Sequence, residues 1–208
     1  YLIDMFEELS FDTIYHEHLS CLSLRPIQIM VESVGLEVFD IETRKVQGLS
    51  MRVFVGHKGA HEINESVDSF VKKETSLKMH TREAYDDLAT KVQNRKEELL
   101  SLLSELKSQG KKIAGYGAPA KGNTLLNFMK IGPDTLDYLT EELTTKIGKL
   151  SPGMNIPVIA AEEARKNPPD YFLMLAWNYE NSILEREQEL RNKGVKFIIP
   201  IGRTLRII

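Results

Sequence analysis

Apolar positions along the chain switch period repeatedly. Residues 24–34 place them at helical spacing until Gly35 intervenes, which predicts a helix stopped by glycine. Residues 36–43 and 50–57 then alternate and are rich in β-branched and aromatic types, predicting two strands joined as a hairpin across Gln47-Gly48. Helical spacing returns over 66–79 and 83–109, the second stretch carrying Leu88, Val92, Leu99, Leu102, Leu103 and Leu106 on one stripe. Such a stripe either packs on its own domain or pairs two chains as a coiled coil, and the first use is expected. After Lys111 strands at 112–116, 136–139, 171–176 and 196–199 alternate with helices at 120–129, 161–166 and 179–193. That alternation predicts a parallel sheet with flanking helices, an α/β fold of Rossmann-like kind.

Composition narrows the partners. With 208 residues, of which 42% are hydrophobic and 27% charged, the chain can bury a sizeable core. Its formal net charge is −3 with both signs interspersed, so nucleic acid is not an expected partner. One cysteine, Cys21, excludes an internal disulfide and a cysteine-based zinc site, and suits a reducing, cytoplasmic compartment. That thiol is expected to pack rather than react. No apolar run has the length of a membrane span, and no basic-then-apolar leader is expected. The chain begins at Tyr1 inside a helical pattern and is expected to be a fragment.

Three segments carry chemistry. The first is Phe11-Asp12-Thr13-Ile14-Tyr15-His16-Glu17-His18-Leu19-Ser20, with a phenol, two imidazoles and a carboxylate in four consecutive positions. If extended, it would point Tyr15 and Glu17 to one face and His16 and His18 to the other. Zinc held by the two histidines would lack a third ligand nearby in sequence, so no metal site is expected. The second is Gly115-Tyr116-Gly117-Ala118-Pro119-Ala120-Lys121-Gly122-Asn123, a strand end, a glycine turn and a helix start. Glycines there allow close backbone approach, Pro119 suits the first helical turn, and the helix N-terminus would face an anion. Ala120 completes a Rossmann-type spacing, whereas Lys121 preceding Gly122 does not make a P-loop. The third is Trp177-Asn178. In a parallel sheet ligands sit beyond the carboxyl ends of the strands, which brings the second and third segments into one crevice. Glu141, 24 residues after Gly117, stands where a dinucleotide fold keeps its ribose-binding acid, so nicotinamide binding remains an alternative.

Together these segments, with Ser151-Pro152-Gly153 and Ile156-Pro157-Val158, resemble the sugar C-methyltransferase family over residues 11–208. Members look like a zinc-binding lobe, a methyltransferase domain and a C-terminal Rossmann-like domain in series. The resemblance implies that residues 1–80 are the end of the methyltransferase domain, with the closing hairpin and helices of an incomplete class I fold. It makes 81–110 a connecting helix and 111–208 the Rossmann-like domain. It further implies transfer of a methyl group from S-adenosylmethionine to a carbon next to the ketone of a nucleotide-linked sugar. By motif match His18 is the base, with Tyr15 and Glu17 beside it, and Gly115, Gly117, Ala118, Lys121, Gly122, Asn123, Trp177 and Asn178 hold the substrate. The donor is expected in the full-length protein but not on this chain, which alone is expected to be inactive. Cys21 and Leu22 depart from the aromatic pair usual in the family, which bears on the sugar pocket. Two rivals remain: a nucleotide- or NAD-binding Rossmann module without methyltransferase activity, and an interaction domain or homo-oligomer paired through the leucine stripe.

Overall fold

The first helix in the computed structural model, which describes residues 1–44 and 50–208, is α1 (Leu2–Glu8), ended by Leu9 in a left-handed conformation at φ 52°. Its successor α2 (Leu24–Glu32) runs into Gly35 at φ 78°, a conformation that favours glycine. The strand β1 (Leu36–Arg44) then pairs antiparallel with β2 (Ser50–His57). The Gln47-Gly48 turn expected between them lies outside the described residues. A bulge between Val38 and Asp40 turns the Asp40 carboxylate towards α3 (Glu65–Ser76), where Ser66 Oγ donates to it at 2.7 Å. Leu24, Ile27 and Val31 of α2 pack with Val38, Ile41 and Val67 as one core.

Ser23, at the N-cap of α2, makes no side-chain cap. The orphan amides are met instead by Glu74 of α3, which is 6% exposed and accepts from the Leu24 N–H at 2.5 Å and the Arg25 N–H at 3.3 Å. A carboxylate at a helix N-terminus is favoured by the helix dipole as well as by the bonds. Glu74→Ala should therefore lower stability by about 1–3 kcal/mol in urea unfolding, with Glu74→Gln costing less because it keeps an acceptor. Equal stability of all three proteins would remove Glu74 as the cap.

The described residues divide into two compact units, Tyr1–Leu9 with His18–Lys91, and Ser10–Glu17 with Val92–Ile208. Helix α4 (Arg82–Ser108) contributes its start to the first and the remainder to the second. Leu88, Val92, Leu99, Leu103 and Leu106 of its stripe are buried within the chain and Leu102 is half-buried. Arg95, 5% exposed on the same helix, donates to the carbonyls of Pro200, Gly202 and Arg203 at 2.8, 3.1 and 3.1 Å.

The second unit is built on a sheet made of β3 (Ile113–Tyr116), β4 (Leu139–Glu141), β5 (Val158–Ala160), β6 (Tyr171–Met174), β7 (Lys196–Ile199) and β8 (Arg206–Ile207). Their spatial order is β5-β4-β3-β6-β7-β8, parallel throughout except for β8. The intervening helices are α5 (Ala120–Met129), α6 (Ala161–Lys166), α7 (Glu180–Arg186) and α8 (Gln188–Asn192). Tyr116 meets Phe172 and Phe197 edge-on and those two rings stack on each other, in one core with Ile183 of α7 and Leu190 of α8. This is a mixed α/β fold with a mostly parallel sheet in Rossmann-like order. The chain winds one way from β3 to β4 and β5, the other way from β6 to β7. Such a switch opens a crevice at the carboxyl ends of β3 and β6.

Three details depart from the sequence expectations. The strand expected at 136–139 begins only at Leu139, because Leu136, though fully buried, belongs to a turn with its N–H on the Gly132 carbonyl. The short β5 and the antiparallel edge β8 have too few residues to show a period. The helix expected over 179–193 is two helices broken at Glu187, whose carboxylate is pulled inward by Tyr116 and Arg165. Among the described residues no helix is long and apolar enough to cross a membrane.

Candidate functional site

The turn from β3 into α5 uses its glycines in two ways. Gly117, at φ 84°, turns the chain and donates its N–H to Thr140 Oγ1 at 3.0 Å. Gly115 and Gly122 serve packing: a Cβ on Gly115 would stand 2.3 Å from the Leu139 side chain, and one on Gly122 2.9 Å from Leu175. Both are buried, so their missing side chains bring strands and helix together instead of admitting a ligand. Ala118, also buried, accepts from Lys146 Nζ at 2.9 Å through its carbonyl, and Asn123 lies in the first turn of α5 with its N–H on the Pro119 carbonyl. Ser151-Pro152-Gly153 closes a tight loop against α5, where Asn127 Nδ2 donates to the Pro152 carbonyl at 3.0 Å.

At the carboxyl ends of the strands lies a crevice of about 310 Å³, lined by Gly117, Glu141, Tyr179, Ser182 and Arg186 above Tyr116. The Tyr116 hydroxyl donates to Glu187 at 2.5 Å and accepts from Arg186 at 2.9 Å. Burial, with the neighbouring Glu187 carboxylate, pushes that phenol up to about 12. Burial would also raise Glu187, but hydrogen bonds from Arg165 and Tyr116 outweigh it and hold the carboxyl below its usual range. Glu141 has both oxygens engaged, one by the Glu142 and Leu143 amides and the other by Lys146 at 3.0 Å.

Beside the glycine loop a second cluster joins all three chemical segments within the second unit. Lys121 Nζ donates to Asn178 Oδ1 at 2.5 Å and sits 3.8 Å above the Trp177 ring. Trp177 Nε1 in turn donates to Asp12 Oδ2 at 2.7 Å. Asp12 is fully buried, and its Oδ1 has no hydrogen-bond partner. Burial pushes the Asp12 carboxyl up to about 6, against the pull of Trp177, Lys121 and the Asp12 and Thr13 amides. The Phe11–Thr13 turn that carries it is anchored by Phe11, whose ring lies 5.1 Å from that of Phe128 on α5. Asp12 is the residue that sequence reasoning passed over. Its sole signal was a carboxylate among apolar neighbours just ahead of the Tyr-His-Glu-His run.

That run is a bend and turn through residues 15–17, so the two-faced extended arrangement does not form. Tyr15 is half-buried, while His16, Glu17 and His18 are exposed. Burial first, then Glu17 and Asp12, raises the Tyr15 phenol. Tyr15 and Glu17 fall in the second unit and His18 in the first. Cys21 is exposed, which corrects its expected role in packing. Among the described residues no three His, Cys, Asp or Glu side chains are placed to hold a metal ion. A larger groove of about 800 Å³ lies in the first unit between α2, α3 and the segment after it, and none of the expected site residues line it.

Residues 45–202 match a family model described as the C-methyltransferase C-terminal domain. Over 202 residues the chain is 36% identical to the C-methyltransferase NovU of Streptomyces niveus, an alignment covering 97% of this chain and 48% of that protein. The chain thus spans about half the length of this curated relative.

Proposed function

Because the chain belongs to the C-methyltransferase family, as a holder of its C-terminal domain, we propose that it binds the acceptor of a methyl transfer from S-adenosylmethionine to a sugar carbon. The acceptor in this proposal is a nucleotide-linked keto-sugar. The observation that carries it is the convergence of the glycine loop, Lys121 and Trp177-Asn178 at the switch point of the sheet. A diphosphate between nucleoside and sugar would meet there the start of α5, the Lys121 ammonium and the Asn178 amide.

The chemistry follows from the bond to be made. Joining a sulfonium methyl to carbon needs a carbanion, and a carbon next to a ketone supplies one by losing its proton to a base. His18 takes that proton, since an imidazole nitrogen with a free lone pair is a suitable general base. Tyr15, kept protonated by its raised pKa, donates to the oxygen on which negative charge develops, and Glu17 orients a ring nitrogen or a sugar hydroxyl. The β1–β2 hairpin and its helices are the closing part of a class I methyltransferase domain in this account.

The donor is another matter. In the first unit the described residues hold one two-stranded sheet and no glycine-rich strand-to-helix turn that would cradle an adenosyl group. In this reading no described residue of the first unit holds the donor. Nicotinamide binding is disfavoured by Glu141, whose oxygens are already taken by Lys146 and two amides.

A thermal-shift screen of the chain separates the readings, since a ligand that binds only the folded state raises the melting temperature. Nucleotide-linked hexoses should raise it by a few degrees, and NAD or NADP should leave it unchanged. The reverse pattern would replace the transferase reading by a dinucleotide-binding module.

A further inference from the structure

Trp177 is the hinge of the Lys121 cluster. Its indole N–H is fixed by a carboxylate that water does not reach, and its ring face carries the ammonium. Asp12 therefore acts on Lys121 through the tryptophan and also directly as a buried negative charge. An anion brought to Lys121 would meet that charge, and like charges in a poorly hydrated site do not both persist. The unpartnered Oδ1 is the atom at which the conflict resolves, because a proton there removes the charge and leaves Oδ2 accepting from Trp177.

We propose that Asp12 is a positioning residue of the anion site, holding Trp177 under Lys121, and that an anion arriving at Lys121 is bound together with one proton taken up by Asp12. The idea rests on the diphosphate reading above and adds a regulatory linkage to it. Other groups around Asp12 are Lys121 from α5, the Trp177 indole, the Tyr15 phenol and the exposed His16 that follows on the same segment. Asp12 is the buried acid of this set, and burial places its own titration at about 6. Binding and protonation help each other equally, since linkage between two sites is reciprocal. Affinity for the anion then rises as pH falls through that region.

Trp177 is the only tryptophan in the chain, so its fluorescence reports the cluster directly. Without ligand, emission from the wild-type chain should change with a midpoint near pH 6, and emission from Asp12→Asn should be flat, since an amide accepts from the indole but does not ionise. UDP-glucose is a suitable anion because its diphosphate diester keeps its charge over this range. It should bind the wild type about tenfold more tightly at pH 5 than at pH 7.5, the size of a one-unit linked shift. Asp12→Asn should bind at pH 7.5 as tightly as the wild type does at pH 5. A merely structural carboxylate would instead weaken binding at every pH when replaced, and that result, or a flat wild-type emission, overturns the proposal. Emission that titrates without UDP-glucose binding at any pH would retire the diphosphate reading and the linkage with it, leaving Asp12 as the anchor of Trp177. Should the variant fail to fold, the wild-type emission and affinity profiles decide alone.

Discussion

Replacing His18 by Gln or Ala in the full-length protein is expected to cut the turnover of methyl transfer by roughly 10²–10⁴-fold, while nucleotide-sugar binding stays near normal. The asymmetry follows from what a base does: it lowers the barrier to proton removal and contributes little to holding the ground state. Exchange with solvent isolates the step. Incubated in D2O without donor, the wild type should place deuterium on the reacting carbon, and the His18 variants should not. Near-normal turnover would move the base elsewhere, with His16 next to be tested.

Lys121→Ala carries the second large effect. Removing the ammonium that rests on Trp177 and Asn178 should weaken nucleotide-sugar binding by roughly 1–3 kcal/mol, the scale of a hydrogen bond to a charged group. The loss should shrink at high salt, because half-buried charges are still partly screened. The fold should survive, since α5 is held by the fully buried Leu125, Leu126 and Met129. Unchanged affinity at low salt would place the diphosphate away from Lys121, towards the 310 Å³ crevice beside Arg186.

Elements with a long or sharp period were legible in the sequence. Helices α5 and α6 and strands β2 and β7 stand at the residues expected, and α2, β1 and α4 within a few positions. What escaped was decided by contacts distant in sequence. Glu187 breaks a continuous helical pattern because its carboxylate is drawn to Tyr116 and Arg165. Arg95 interrupts a leucine stripe to hold carbonyls more than a hundred residues on. The glycine loop shows the same limit on a smaller scale. Spacing marked Gly115, Gly117 and Gly122 alike, yet only Gly117 takes a left-handed conformation, while the other two make room for Leu139 and Leu175. Asp12 was invisible for a related reason, since nothing local says that it will meet Trp177, 165 residues away.

The central claim, that this chain supplies the acceptor side of the reaction and not the donor side, is tested most directly by calorimetry on the chain as it stands. Titrated with a nucleotide-linked hexose it should release heat with a single site, and titrated with S-adenosylmethionine it should release none above dilution. Micromolar binding of S-adenosylmethionine, with no response to the nucleotide sugar, would contradict it.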